Sequence, residues 1–351
     1  MAVKKISKKN LANVLAVWRR EFNIIVPSRA TGVTAFSEWD GEDVSFLDWY
    51  RNTSVPPKAV LLPPMEKMIS FCREKDGYKM EVPVNEHKQI IFGVRPCDAR
   101  GLAIIDNVFT EGYEDYYYVS RRRNTLLVGL GCTNPQESCF CMSMDVDPAA
   151  SKDVDVMFND TGDEFIVEAF TAGGEYLLKI AEGAKNATGT NMKMAISVAS
   201  ECRKKLTRAI DTRGVSNKLQ ACFNDEDYWE QVAAKCVSCG ICTFLCPTCF
   251  CFDINDEMVR KQGARYRGWD SCSFRLYTSM PMENPREEKW RRVRQRVCHK
   301  FEFYPMNLDI FACTGCGRCI QLCPVNWDIT RVIAGLPQQS DVKEKAAALK
   351  G

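Results

Sequence analysis

The sequence has little histidine and no long apolar run. Only His87 and His299 occur among the 351 residues, so neither a His-rich zinc site nor catalysis by several imidazoles is favoured. No apolar segment approaches the ~20 residues of a membrane-spanning helix, and the basic N-terminal residues lack the apolar region of a secretory signal. The formal net charge of +2 gives no bulk attraction for nucleic acid. We therefore expect a cytoplasmic protein with no membrane span and no nucleic-acid partner.

Nucleotide-binding motifs are also missing. Gly129 and Gly131 are not followed by the third glycine that a dinucleotide-binding fingerprint requires. The glycine-rich loop with lysine and serine or threonine that cradles nucleotide phosphates does not occur either. The sequence therefore gives no indication of nucleotide hydrolysis.

Cysteine, in contrast, is abundant. The chain has 19 cysteines, an odd number, and thiols of an intracellular protein are normally kept reduced. A disulfide framework is therefore not expected, and the natural interpretation is metal binding by thiolates.

Eight of the cysteines form two copies of one motif. The first motif, residues 236–246, and the second motif, residues 313–323, both read C-x2-C-x2-C-x3-C and both are followed by proline. In this pattern three closely spaced cysteines bind one [4Fe–4S] cube, and the fourth reaches the cube of the other motif. The expected ligands are Cys236, Cys239, Cys242 and Cys323 for one cluster, and Cys313, Cys316, Cys319 and Cys246 for the other.

A zinc site does not explain these motifs. Structural zinc usually takes its four ligands from two separated C-x2-C pairs, which leaves the third cysteine and the Cys-Pro of each copy without a role. Gly240 and Gly317 fit a backbone that bends closely around inorganic sulfide. We therefore predict two [4Fe–4S] clusters.

The N-terminal part of the chain has the pattern of an α/β or α+β domain. Residues 89–94 and 124–130 are apolar strand candidates, and the helix predicted over 99–109 lies between them. Such a βαβ unit has parallel neighbouring strands. Residues 153–178 predict a β-hairpin that turns near Gly162.

We place the domain boundary near residue 220, between an α/β domain over 1–220 and a ferredoxin-like domain over 221–351. Helices are predicted over 192–210 and 218–234. The 66 residues between Cys246 and Cys313 exceed what a compact bacterial ferredoxin needs, and we predict them to be mainly helical or irregular. The fold class is therefore an α/β domain followed by a mostly helical dicluster [4Fe–4S] domain.

Eleven cysteines lie outside the two motifs. Four of them stand alone in the sequence and are expected to be buried structural thiols. These four are Cys72, Cys202, Cys222 and Cys298. The other seven are Cys97, Cys132, Cys139, Cys141, Cys249, Cys251 and Cys272.

These seven cysteines predict a third cluster. Cys97 and Cys132 follow the two parallel strands, at the edge where α/β sheets build their ligand sites. The first candidate ligand set adds the nearby C-x-C pair and is Cys97, Cys132, Cys139 and Cys141. A competing set takes one outside ligand together with Cys249, Cys251 and Cys272. A mixture of the two sets, or seven reduced structural thiols, are the remaining possibilities.

These motifs resemble a known family. Over most of its length the chain is similar to the iron–sulfur β subunits of sulfhydrogenases and to the iron–sulfur subunits of anaerobic sulfite reductases. The segments that carry the resemblance are Val94-Arg-Pro-Cys97-Asp-Ala-Arg100, Cys132 with Cys139-Phe-Cys141, residues 239–253, Trp269-Asp-Ser-Cys272, His299-Lys-Phe301 and the second motif. Because Cys249, Cys251 and Cys272 lie in these segments, the resemblance adds weight to the competing set.

The resemblance implies an electron relay inside a larger cytoplasmic, anaerobic redox complex. Members of the family stand between a flavin subunit that oxidises NAD(P)H and a terminal catalyst, which is a hydrogenase, a sulfite reductase or a heterodisulfide-reductase-type enzyme. We therefore expect a non-catalytic electron-transfer subunit. The alternative is a catalytic subunit whose open iron binds a sulfur compound, and a third possibility is a zinc-dependent interaction module.

The crossed ligand assignment is testable by substitution. Cys246→Ala is expected to damage the cluster whose other ligands lie in the second motif, because the fourth cysteine crosses over. Iron analysis and EPR of the reduced protein measure that loss. Cys323→Ala is the matched variant and is expected to damage the other cluster. Loss of only the cluster nearest in sequence, in either variant, would contradict the assignment.

Overall fold

The chain folds into two compact units that are not consecutive in sequence. A computed structural model describes residues 3–83 and 87–337. Unit 1 contains the chain up to residue 136, residues 146–207 and residues 252–269. Unit 2 contains residues 137–145, residues 208–251 and the chain from residue 270 onward.

Twelve strands are present in the described residues. In chain order they are β1 (Lys4–Ser7), β2 (Asn23–Ala30), β3 (Val33–Glu38), β4 (Met65–Glu74), β5 (Gly77–Glu81), β6 (Gln89–Val94), β7 (Thr125–Leu130), β8 (Val156–Asp160), β9 (Glu164–Ala169), β10 (Lys185–Asn186), β11 (Phe252–Val259) and β12 (Gln262–Trp269). All twelve strands lie in unit 1.

The α-helices are distributed over both units. In chain order they are α1 (Leu11–Trp18), α2 (Phe46–Trp49), α3 (Lys58–Leu61), α4 (Pro96–Thr110), α5 (Tyr116–Arg123), α6 (Ala172–Ile180), α7 (Gly189–Lys204), α8 (Val215–Ala221), α9 (Glu226–Ala233), α10 (Ile241–Phe244), α11 (Lys289–Cys298), α12 (Tyr304–Leu308), α13 (Arg318–Gln321) and α14 (Ile329–Ala334). A π-helical turn, His299–Phe303, joins α11 to α12. Short 3-10 turns are Lys8–Asn10, Cys141–Met144 and Arg275–Thr278.

The large sheet of unit 1 has the strand order β10-β1-β9-β8-β7-β6-β2-β3. Its central strands β2, β6, β7 and β8 are parallel neighbours, and their near-continuous apolar runs are typical of strands covered on both faces. The predicted βαβ unit is confirmed, because β6 and β7 pair in parallel with α4 between them. The predicted hairpin is also confirmed as the antiparallel pair of β8 and β9.

The small sheet has the strand order β11-β12-β4-β5, and all its pairings are antiparallel. The prediction that residues 247–312 are mainly helical or irregular was wrong for β11 and β12. These two strands form a hairpin whose β11 residues are nearly all exposed. Because β11 does not face a core, its sequence lacks the apolar alternation by which a half-buried strand is recognised.

The hydrophobic core of unit 1 covers the large sheet. Aromatic side chains at its centre pack edge to face, with Phe158 between Trp18 at 6.3 Å and Phe92 at 5.3 Å. The helix α4 begins at Pro96, which is favourable at the first helical position because it lacks the N–H that would remain unpaired there. This places Cys97 in the first turn of α4, at the carboxyl end of β6.

The part of unit 2 that the structure describes contains helices, turns and loops. Its core joins α8, α9, α11 and α14 with the segment 137–145, and Trp229 and Phe301 are fully buried there. The chain passes from unit 1 to unit 2 between residues 207 and 208, and the segments 137–145 and 252–269 belong to the other unit than the residues on either side of them. The domain boundary near residue 220 stays a prediction. Residues 338–351 of the predicted second domain lie outside the described residues.

None of the described helices is both long and apolar enough to cross a membrane.

A buried ion network ties the small sheet to α5. The Glu66 carboxylate accepts hydrogen bonds from Arg267 Nη2 at 2.6 Å and Nε at 3.0 Å, and it also accepts from Arg121. Arg267 Nη1 donates to Asp115 at 2.6 Å, and the Arg267 side chain is only 1% exposed. Two guanidinium groups therefore share the charge of Glu66 away from solvent.

Glu66→Ala is expected to destabilise unit 1 by roughly 3–5 kcal/mol, because it leaves two buried guanidinium groups without their common partner. Denaturant unfolding followed by circular dichroism measures the change. Glu81→Ala is the control, since Glu81 forms an exposed pair with Lys79 at 3.0 Å, and we expect it to leave the midpoint nearly unchanged. Equal midpoints for the two variants would contradict the role of Glu66.

Candidate metal centre

The two cysteine motifs adopt the same local backbone conformation. Gly240 precedes α10 with φ 77° and ψ −11°, and Gly317 precedes α13 with φ 77° and ψ −10°. Glycine is suited to this left-handed conformation because it has no Cβ. The residues that follow the two short helices, Leu245 and Leu322, also match closely, with φ −90° and −98° and ψ 4° in both. The sequence repeat is therefore a structural repeat.

The two repeats lie side by side within unit 2. The helices α10 and α13 are in contact, and the Arg296 side chain interacts with both Cys242 of the first motif and Cys319 of the second. None of the eight motif cysteines forms a disulfide, and they range from buried Cys246 and Cys316 to exposed Cys239. The structure thus brings the two predicted ligand loops together.

The segment 137–145 packs on the second motif. The Phe140 N–H donates to the Gly315 carbonyl at 2.8 Å, and Cys139 Sγ lies 3.7 Å from the Cys316 carbonyl oxygen. A Cβ atom on Gly315 would come within 2.6 Å of the Cys141 backbone, so only glycine permits this approach. Cys139 and Cys141 therefore belong to unit 2.

Cys97 and Cys132 belong to unit 1. Cys132 follows β7, and the Arg95 guanidinium donates to the Leu130 and Gly131 carbonyls at 3.1 and 2.6 Å. A hydrogen bond from Cys202 and, more weakly, the charge of Arg95 lower the pKa of Cys132 to about 6, against the opposing effect of burial. Cys202, expected to stand alone, is thus a partner of Cys132.

Cys249, Cys251 and Cys272 lie in unit 2 close to the first motif. The Cys251 and Cys272 thiols are hydrogen bonded, which lowers the pKa of Cys251 to about 6 and raises that of Cys272. Cys249 is hydrogen bonded to Cys246, and this contact lowers the pKa of Cys246. The competing set of the third-cluster prediction is therefore gathered in one part of unit 2.

Two buried cations lie among the motif cysteines. Lys300 is 2% exposed and Arg296 is 4% exposed, and they are four residues apart on the continuous helical segment of α11 and the π-helical turn. Lys300 Nζ lies 3.3 Å from Cys246 Sγ and donates to Thr248 Oγ1 and the Ala312 carbonyl, both at 2.8 Å. Lys300 and Thr248 lie within the segments that carry the family resemblance, but no role was predicted for them from the sequence, because their contacts with each other and with Cys246 join segments more than 50 positions apart.

The residues around the motifs fit a group that accepts hydrogen bonds and carries negative charge. Arg296 Nη2 donates to the Cys242 carbonyl at 3.2 Å, but its Nε and Nη1 are buried without a hydrogen-bond partner, as is Thr314 Oγ1 beside Cys313. Buried donors in proteins are nearly always paired. Iron-bound thiolates and inorganic sulfides supply such acceptors, and a [4Fe–4S] cube, when bound, supplies one-electron redox chemistry.

No three His, Cys, Asp or Glu side chains within residues 3–83 and 87–337 converge on a point where a single metal ion would bind. The thiolates of a [4Fe–4S] cube bind different irons, so its ligands need not converge in this way.

Comparisons with known proteins agree with this chemistry. Residues 235–327 match a family described as a 4Fe-4S dicluster domain. The sulfhydrogenase 2 subunit beta of Pyrococcus furiosus is 30% identical over 314 residues, which is 88% of this chain and 90% of that protein. No solved structure matches the chain.

The chain belongs to the sulfhydrogenase beta-subunit family. The predicted family resemblance is therefore confirmed. The dicluster domain supports the prediction of two [4Fe–4S] clusters, and it makes this chain an iron–sulfur protein of electron transport. The match spans both cysteine motifs together with Cys249, Cys251 and Cys272.

Proposed function

We propose that this chain is a non-catalytic relay subunit of a cytoplasmic redox complex, in which electrons pass between partner subunits through its [4Fe–4S] clusters. The proposed ligands are those of the crossed assignment, with Cys246 and Cys323 exchanged between the two motifs. The protein would position the clusters and set their potentials by burial, charge and hydrogen bonds to sulfur. No substrate needs to bind to this chain for that task.

The observation that carries this proposal is the position of Arg296 between the two motifs. One guanidinium group donates to the Cys242 carbonyl and also interacts with Cys319. Two cubes held by loops that border the same side chain would be close neighbours. Neighbouring clusters exchange electrons, so this arrangement supports conduction between two ends of a protein.

The proposed partners follow from the family. The relative in Pyrococcus furiosus is a sulfhydrogenase subunit. We infer that an FAD- and NAD(P)H-binding subunit lies on one side of this chain, and that a terminal hydrogenase or reductase lies on the other.

Cys316→Ser is expected to interrupt electron flow through the complex, because it removes a ligand of one relay cluster. In the complex purified without oxygen from the native cell, NAD(P)H-dependent turnover of the terminal acceptor should fall at least tenfold. NAD(P)H oxidation with an artificial dye should remain, since the dye takes electrons at the flavin. The two activities, measured on one preparation, separate a broken relay from a broken donor.

Cys72→Ser is the matched control for that experiment. Cys72 lies on β4, outside the motifs and the third-cluster candidates, so the variant is expected to keep both activities. Recovery of the wild-type chain as a lone monomer with turnover of its own would overturn the relay proposal. Unchanged NAD(P)H-dependent turnover of the terminal acceptor in the Cys316→Ser complex would also overturn the relay proposal.

We further propose a third cluster whose ligands include Cys249, Cys251 and Cys272. The contact between Cys251 and Cys272 supports this set, as does the proximity of Cys249 to Cys246. The other candidate ligand set stays a prediction. Its Cys97 and Cys132 lie in unit 1, and its Cys139 and Cys141 lie in unit 2.

Iron analysis tests the third cluster. Three cubes give about twelve irons per chain and two give about eight. Cys251→Ser is expected to lower the count by about four irons, whereas Cys97→Ser should leave it unchanged. The opposite result would assign the third cluster to the set that contains Cys97. A wild-type count of about eight would remove the third cluster altogether.

A second candidate function rests on the three further cysteines that the described residues place beside the first motif, Cys249, Cys251 and Cys272. A cube with three protein thiolates has one iron open to another ligand, and an open iron could bind a sulfur compound. In that case this chain would itself be catalytic. EPR of the isolated chain distinguishes the two functions, because a substrate-induced change at one cluster supports catalysis and an unchanged spectrum supports the relay.

A further inference from the structure

We infer that Lys300 keeps the more buried of the two clusters reducible, by holding a positive charge against the sulfur of Cys246. The inference rests on the proposed function, since it takes Cys246 as a cluster ligand. It goes further by naming the residue that sets the potential of one relay cluster.

The contacts of Lys300 use all three of its N–H groups. One is directed at Cys246 Sγ at 3.3 Å, one at Thr248 Oγ1 and one at the Ala312 carbonyl, both at 2.8 Å. Thr248 Oγ1 lies 3.1 Å from the same sulfur. The ammonium group is therefore fixed in one position, with its charge beside the sulfur and next to the residue that precedes Cys313.

The surroundings of Lys300 favour its charged form. Three acceptor atoms, the Cys246 sulfur and two oxygens, lie within 3.3 Å of Lys300 Nζ, and only the charged ammonium form has an N–H for each of them. The π-helical turn that carries Lys300 widens the helix at this point, and such turns are frequent at functional sites.

The two clusters differ in burial. In the crossed assignment, buried Cys246 and Cys316 bind the same cluster, whereas exposed Cys239 belongs to the other. Reduction adds a negative charge to a cluster, and burial disfavours that charge because it is poorly solvated. A nearby ammonium group opposes this effect, since its attraction to the reduced cluster is strong where water is excluded.

The two motifs differ in the residues that follow their fourth cysteines. Two residues after Cys246 the chain has Thr248, whereas two residues after Cys323 it has Val325, which has no side-chain donor. Cys323 Sγ accepts a hydrogen bond from the Trp327 backbone N–H at 3.2 Å. The Cys246 sulfur is thus approached by a charged ammonium group that the Thr248 oxygen helps to hold, whereas Cys323 accepts from a neutral amide.

EPR-monitored redox titration of the whole chain tests the inference. Lys300→Met removes the charge but keeps much of the side-chain volume, so the midpoint potential of one cluster is expected to become more negative while the other is unchanged. The shifted signal should be the one altered by Cys246→Ser. Lys300→Arg keeps the charge and is expected to titrate close to the wild type.

Two further variants complete the test. Thr248→Val removes the oxygen that anchors Lys300 and is expected to shift the same cluster in the same direction. Lys261→Met removes one charge from an exposed turn of unit 1 and is expected to leave both potentials unchanged. If Lys300→Met does not fold, the redox titration of Thr248→Val tests the inference instead. An unchanged midpoint potential in Thr248→Val then overturns it.

The outcomes separate this inference from the proposed function. If neither cluster changes its midpoint potential between the wild type and Lys300→Met, the role of Lys300 is overturned. The relay proposal is unaffected by that result. The inference is also overturned if Lys300→Met shifts the potential of the cluster that Cys323→Ser alters, because Lys300 would then act on the other cluster. A wild-type preparation without inorganic sulfide would overturn the relay proposal itself.

Discussion

A buried positive charge needs a negative or polar partner, and this requirement links the cysteine loops to the helix beside them. Arg296 and Lys300 are shielded from solvent, and cysteine sulfurs and backbone carbonyls surround them. Neutral thiols would compensate two cations poorly. Iron-bound thiolates and sulfides compensate them well, and the cations in turn offset the negative charge of the clusters. Burying the two cations without the clusters, or the clusters without the cations, would cost free energy.

The parts of the fold that depend on local sequence were predictable. Each cysteine motif repeats its spacing and its glycine, and Gly240 and Gly317 consequently adopt the same left-handed conformation. The central strands β6 and β7 were predictable for a similar reason, because a continuous apolar run is required wherever a strand is covered on both faces. Neither inference needs knowledge of distant contacts.

The missed features depend on contacts between residues that are far apart in sequence. The β11–β12 hairpin is polar, and its Arg267 is buried only because Glu66 and Asp115 meet it there. The approach of Cys141 to Gly315 likewise joins positions more than 170 residues apart. Patterns of apolar spacing do not encode such pairs, because each partner is unremarkable in its own segment.

The cysteine spacing and the residues that flank it control different properties. Spacing and glycine conformation determine which sulfurs can reach one cube, and both motifs satisfy that requirement equally. Thr248 and Val325 occupy corresponding positions but are not needed for ligation, so they are free to differ. Two identical clusters in identical surroundings would have equal potentials. In this chain the repeat is kept at its ligands and differs around them, so the two clusters of the proposed relay would have different surroundings and different potentials.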